Sequence, residues 1–400
     1  MGNLSWRFGE TEYSYVKEVL DSGFASGTTG NMNSRLEKAF AKRFGMNYAI
    51  TFNSGTTTLH AALSAFGVGY GDEVIVPALT VIACMYAVLY CNAIPVFADI
   101  DPDTFLIDPA DVRRKITKKT KAIMPVHLYG QVCDMTEIMK IAHEYNLKVL
   151  EDCAQCYLGT HAGAIGGTIG DVGSWSFENS KHVTTGDGGI VSCNDEELAA
   201  KMRKLSTLGF RNATAASGKV RIDKNIFQNP SYKRHDTFAY MYRMPEVAAA
   251  VGLAQVEKLD WFVEKREQMA GFYKKMLSNC EWLKPQLTPI GDRNSYYAFA
   301  TRLVRDDISW EDFRKKYIGY GGDGIYAAWA LLYQEDSISD VKRFLKSMNL
   351  ADRFITDKGM CPNAEKLQSR IMQFTTNQEN DEEMKIQMDA LYKTIKYFDR

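Results

Sequence analysis

The sequence predicts an α/β protein with a large domain built on a mostly parallel sheet and a smaller C-terminal α/β domain. Three observations carry this. The chain has 400 residues, too many for one ordinary core. Its first two-thirds alternates short apolar runs with amphipathic stretches, the pattern of parallel strands joined by crossover helices. From Pro245 onward that rhythm gives way to a long helical pattern. The division is therefore placed near 245, giving a large domain over 1–245 with an N-terminal arm over 1–30, and a small domain over 246–400.

In chain order, Arg35–Phe44 is amphipathic and Tyr48–Phe52 reads as a strand. Thr56–Phe66 places Leu59, Ala62, Leu63 and Phe66 on one helical face. Strand-like runs follow at Val74–Val76, Pro95–Ile100, Ala122–His127, Lys148–Cys153, Gly173–Phe177 and Gly189–Cys193. Helical stretches lie between them near 80–91, 109–116, 134–145 and 195–207. Residues 211–237 are rich in Asn, Ser and cations, and read as a long connection. One helix is expected from 245 to about Leu277, a strand over Tyr296–Val304, and a closing helix near 381–398. In a sheet of this kind a ligand lies at the carboxyl ends of the strands.

Composition narrows the function classes. Apolar residues make up 46%, and 48 Lys+Arg nearly cancel 49 Asp+Glu, which excludes disorder and a nucleic-acid-coating protein. The longest apolar run, Val81–Cys91, falls well short of the ~18 residues a membrane span needs. No signal-peptide pattern opens the chain, and Trp6 spoils a myristoylation pattern. Eight cysteines then read as reduced thiols in a cytoplasmic enzyme.

Three segments carry chemistry. Asn53-Ser54-Gly55-Thr56-Thr57 follows a strand and opens a helix, a place where free N–H groups and the positive dipole end suit a phosphate. A plain Ser54 cap is the competing reading. Glu151-Asp152-Cys153-Ala154-Gln155 ends an apolar strand, so an acid there either reaches the ligand crevice or caps the next helix. Ser174 to Gly189 delivers Ser176 on a strand, Lys181 in a turn dense with Ser, Thr and Gly, and a glycine-rich return.

Together these segments resemble the fold type I pyridoxal-phosphate aminotransferases, and more closely the DegT/StrS-type sugar aminotransferases, over almost the whole chain. Further motifs appear in the family's order: Gly27-Thr-Thr-Gly30, Gly71-Asp-Glu-Val-Ile-Val-Pro77, Thr184-Thr-Gly-Asp-Gly-Gly189 and Tyr242-Arg243-Met244. The resemblance implies pyridoxal 5'-phosphate as cofactor, with Lys181 holding it as a Schiff base and moving the substrate proton. It implies Asp152 on the pyridine nitrogen and Gln155 on the phenolic oxygen. The phosphate would be held by the Gly55 and Thr56 N–H groups with the Ser176 hydroxyl. It further implies an amino-acid donor, glutamate or glutamine, a keto-sugar acceptor linked to a nucleotide, and a homodimer, with no nucleic-acid or membrane partner.

The chain departs from the family's pattern in three places. Val81 stands where an aromatic residue often stacks on the ring, and Met241 where an Asn often reaches the partner's phosphate. The histidine-bearing stretch of the small domain is not recognisable around Tyr326–Trp329. A free cyclitol ketone or a small phosphorylated ketone are therefore alternative acceptors. A dehydratase branch replaces the reactive lysine with histidine, but the count from Ser176 puts Lys181, not His182, at that position. A non-catalytic cofactor-binding regulator is disfavoured because Lys181, Asp152 and Gln155 are all present.

Other signals carry less. Cys153-x-x-Cys156 lacks a second ligand pair, so it reads as two buried thiols. Gly319-x-Gly321-x-x-Gly324 follows a helical pattern, not a strand, and reads as a helix-to-strand turn. Asn212-Ala-Thr214 is a sequon without a secretory route. The segment 201–235 holds nine Lys/Arg against Asp223 alone; a solvated loop competes with a phosphate-binding role.

Overall fold

A computed structural model of the chain describes residues 4–24, 31–218 and 222–399. The Gly27–Gly30 turn lies outside them. A seven-stranded mixed sheet is built from β1 (Tyr48–Phe52), β2 (Glu73–Pro77), β3 (Ile94–Ala98), β4 (Thr120–Ile123), β5 (Lys148–Asp152), β8 (Val172–Ser176) and β9 (Gly189–Cys193). Its spatial order is β1-β9-β8-β5-β4-β2-β3. The run from β8 through β3 is parallel, while β9 pairs antiparallel with both β8 and β1. A hairpin of β6 (Thr160–His161) and β7 (Ala164–Ile165) lies apart from it. β2, β8 and β9 are buried at every position, as expected of strands covered on both faces.

Helices α1 (Glu10–Asp21) and α2 (Met32–Phe44) precede the sheet, α3 (Gly55–Ala65), α4 (Ala83–Tyr90), α5 (Pro109–Lys115) and α6 (Met135–Tyr145) connect its strands, and α7 (Glu196–Ser206) follows β9. After the short α8 (Lys224–Gln228) come α9 (Glu246–Glu257) and α10 (Leu259–Leu277). The expected single helix from 245 to 277 is thus two. Lys258 breaks it at φ −104°, ψ 9°, which lets α9 lie on α1 and α2 while α10 leaves toward the second sheet. No Gly or Pro marks that break.

The second sheet has the order β10 (Leu283–Pro285), β11 (Phe299–Leu303), β13 (Ile371–Phe374), β12 (Tyr326–Ala327), all pairs antiparallel. β11 starts at Phe299 rather than at Tyr296, whose φ of +47° is incompatible with a strand. α11 (Trp310–Gly319), α12 (Ile338–Ser347), α13 (Pro362–Leu367) and α14 (Asp381–Phe398) complete the chain.

Alternation along the strands sorts the core into layers. Ile50, Phe52 and Val191 join the core with α3, α4 and α6, whereas Ala49 and Ile190 face α2 and α9. A third core unites α10, α11 and α14 with the smaller sheet. Leu331, Leu345 and Leu367 return to the first core. Among the described residues no helix is long and apolar enough to cross a membrane.

Candidate functional site

The loop after β1 turns straight into α3. Ser54 is its N-cap, its Oγ accepting from Thr57 N at 3.2 Å. Helix geometry leaves the next two donors, Gly55 N and Thr56 N, without an intrahelical acceptor. They sit beside the end of β8: a Cβ on Gly55 would lie 2.7 Å from Ser176 Cβ and 3.1 Å from Ser176 Oγ. A Cβ on Gly189, across the same seam, would lie 2.7 Å from Ser54 O. Two bare backbones and one hydroxyl therefore form a close cradle at a helix start. The capping reading of Ser54 holds, and it leaves the Gly55 and Thr56 N–H groups, which helix geometry deprives of an acceptor, open to the cradle.

At the end of β5 two acids point to different tasks. Glu151 is structural. Its carboxylate accepts from Gly167 N, Ile169 N and Gly170 N at 2.6–2.8 Å and meets His127 Nε2 at 2.9 Å. Asp152, equally buried, has far fewer partners: Ala154 N at 2.9 Å and the Cys84 thiol at 3.2 Å. No Lys, Arg or His nitrogen among the described residues lies within 4.0 Å of it. Burial pushes its carboxyl above the ordinary value, and the Ala154 N–H, the Cys84 thiol and the Lys181 charge pull it back. A buried carboxylate short of a cation suits a protonated ring nitrogen. Gln155 is also buried; its Oε1 accepts from Tyr129 N at 2.9 Å, which turns its NH2 group free as a donor.

Lys181 stands in the turn that follows β8. Its Nζ lies 4.8 Å from the centre of the Tyr297 ring and 4.0 Å from Glu178 Oε2. It is near enough for its charge to act on Asp152. The adjacent His182 goes elsewhere: it is buried, and Nε2 meets Ser295 O at 2.8 Å. Desolvation, with the charge of Arg266 next, holds its imidazole well below the ordinary histidine range, so it is neutral. Lys181, Asp152, Gln155, Gly55, Thr56 and Ser176 thus converge at the carboxyl ends of β5 and β8. Cys84 and Tyr297 also belong to this region and went unread, because each meets its partner 68 or more residues away in the chain.

The remaining signals fall into place locally. Met241 is half exposed beside Tyr240 and Tyr242, whose rings stack at 5.0 Å. All eight cysteines are free and buried, Cys153 and Cys156 included. Of the basic stretch, Arg203 is buried on Glu37 and so is not available to an anion, while Lys201 pairs with Glu197 and Lys204 with Asp236. Lys219 and Arg221 lie outside the described residues. Gly319–Gly324 leads from α11 to β12, a helix-to-strand turn.

Known proteins are similar to this chain in sequence and fold. A GDP-perosamine synthase from Caulobacter vibrioides is 41% identical over 301 residues, 74% of this chain and 76% of that protein. The aminotransferase from Psychrobacter cryohalolentis superposes with a TM-score of 0.84 at 28% identity, covering 96% of each chain. A GDP-4-keto-6-deoxymannose-3-dehydratase mutant with bound GDP-perosamine superposes with a TM-score of 0.79 at 25% identity, over 96% of this chain and 98% of that one. The architecture is that of fold type I aminotransferases. Residues 7–386 match the family model, and the chain belongs to the DegT/DnrJ/EryC1/StrS aminotransferase family.

Proposed function

We propose that this chain is a pyridoxal 5'-phosphate-dependent aminotransferase that moves an amino group from an amino acid to the keto group of a nucleotide-linked keto-deoxy sugar. The observation that carries it is the convergence of a lysine amine, an under-partnered buried carboxylate and a helix-start cradle at one end of the sheet. Glutamate or glutamine is the donor, and the 41% identity to a GDP-perosamine synthase favours a GDP-linked acceptor. The working form is a homodimer, and buried free thiols suit a reducing cytoplasm.

The cofactor, when bound, supplies an electron sink for the pair released at the substrate carbon. The protein's own groups do the rest. Gly55 N, Thr56 N and Ser176 Oγ bind the phosphate dianion, helped by the helix dipole. Asp152 would pair with the ring nitrogen and keep a proton there, which would relieve the cost of burying its own charge. The Gln155 amide donates to the phenolic oxygen. Lys181 would hold the cofactor through its Nζ, and the same amine, once free, would carry the proton at the substrate carbon. Donor and acceptor occupy the same pocket in turn.

A dehydratase reading draws on the second of these structural relatives. It is disfavoured because a lysine stands at the reactive position, and the imidazole beside it is engaged on Ser295 O. Mixing the yellow holoenzyme with glutamate and following the visible spectrum tests the proposal. Bleaching to the colourless amine form, then recovery on adding a GDP-linked keto-deoxy sugar, is the expected outcome. A spectrum unmoved by every amino donor, or sugar deoxygenation without amine transfer, overturns it.

A further inference from the structure

The turn that carries Lys181 is held by two arginines from distant parts of the chain. Arg7, in the N-terminal turn Leu4–Arg7, donates from Nη1 to Asn179 O at 3.0 Å and from Nη2 to Lys181 O and His182 O at 2.6 and 2.8 Å. Arg266, on α10, donates from Nη2 to Ser180 O at 3.2 Å and from Nη1 to Tyr297 O at 2.8 Å. Four successive carbonyls, 179 to 182, are thereby engaged by guanidinium groups. Both arginines are buried, and among the described residues neither has a carboxylate within 4.0 Å.

Burying an uncompensated cation is costly, and burial pushes the two guanidinium groups down to about 10 for Arg7 and about 9 for Arg266. Surface arginines on exposed carboxylates would be cheaper if stability alone were at issue. A planar fork of donors is suited instead to fixing several carbonyls at defined directions. Arg7 is itself anchored: Gln255 Nε2 and Lys258 Nζ donate to its carbonyl at 2.9 and 3.2 Å, and Trp6 packs on Trp261 and Phe262. The turn between β8 and β9 has no helix or strand of its own to set the direction of the Lys181 side chain.

We propose that Arg7 and Arg266 are positioning residues that clamp the backbone on both sides of Lys181 and aim its amine at the reacting carbon. This rests on the functional reading above, in which Lys181 is the reactive amine. A displacement of about 1 Å at a reacting group costs on the order of 100-fold in rate.

The test uses full-length Arg7→Met, Arg7→Lys and Arg266→Lys variants. It reads kcat and KM for the amino donor, the rate at which the apoenzyme turns yellow with pyridoxal 5'-phosphate, and hydrogen exchange of the 178–183 peptide against a β2 peptide. In Arg7→Met, kcat should fall between about 10- and 100-fold while KM stays within about threefold. Yellowing should slow, and exchange should rise in 178–183 alone. Arg7→Lys should recover part of each, since an ammonium can meet some of those carbonyls. A folded Arg7→Met with parental kcat, yellowing and exchange overturns the clamp; if Arg7→Met does not fold, parental behaviour of both lysine variants does so. Should the parent never bind cofactor at Lys181, the functional reading fails, and the exchange readout still decides whether the clamp exists.

Discussion

Gly55 leaves no room for even one methyl group, because Ser176 Cβ stands 2.7 Å from where it would go. Gly55→Ala should push Ser176 out of the cradle, cost about 1–3 kcal/mol in overpacking and weaken the cofactor more than it weakens the fold. Absorbance titration with pyridoxal 5'-phosphate beside a urea melt separates the two; unchanged affinity contradicts the cradle. Asp152→Asn keeps the shape of the side chain and removes the charge. It should slow amine exchange on the order of 100-fold, the scale of one lost electrostatic partner at a reacting centre. A parental rate of spectral change in that variant removes Asp152 from its assigned role. Lys181, Asp152, Gln155 and Ser176 could be singled out from the sequence because their spacing within two short segments matches the family's pattern, and the structure brings them to one end of the sheet. Cys84, which donates to Asp152 from α4, was not, since nothing local to a cysteine in an apolar run announces a carboxylate across the sheet.

The strands and helices of the large sheet were legible almost one for one, through runs of Val, Ile and Ala at the right period. What failed were the ends: β4 stops at Ile123, and Val126 keeps only an isolated bridge to Asp152. Packing geometry, not local composition, sets such ends. α2, β1 and α7 are tied by a buried pair in which Arg203 donates to both Glu37 oxygens at 2.6 and 3.0 Å, while Thr51 N also meets Glu37 at 3.0 Å. Arg203→Met should cost about 3–5 kcal/mol by stranding the Glu37 charge. Urea unfolding of that variant, beside Arg203→Met with Glu37→Gln, checks this; the double variant should recover part of the loss. α3 also carries His60, buried against Tyr90, Tyr240 and Tyr242, and burial pushes it down to about 4. The unfolded chain takes up that proton near pH 6.5 and the native chain only near 4, so its share of stability is intact above about 6.5. It is lost as pH falls from there toward 4, by about 3 kcal/mol in full. Unfolding free energies of the parent and His60→Asn should converge as the pH is lowered through this window; a constant difference contradicts it.

At the scale of the molecule, the described residues form two larger sheets, a small hairpin and three cores. α9 joins the core of α1 and α2, and Leu331, Leu345 and Leu367 rejoin the core of the larger sheet. We propose that the division near 245 separates a cofactor-holding part from a part that helps select the acceptor. The crossing of the chain back to the first core at 331–367 was not legible, because an apolar helical face does not say which sheet it will cover. The acceptor region around Tyr326–Trp329 was equally silent, since β12 is two residues long and its surroundings come from loops. The central claim, that one lysine tethers the cofactor, meets its most direct test in borohydride reduction of the yellow enzyme followed by peptide mass mapping. The account predicts a single stable adduct on the peptide containing Lys181, absent in Lys181→Ala. An adduct on another lysine, or no adduct from a yellow, active parent, contradicts it.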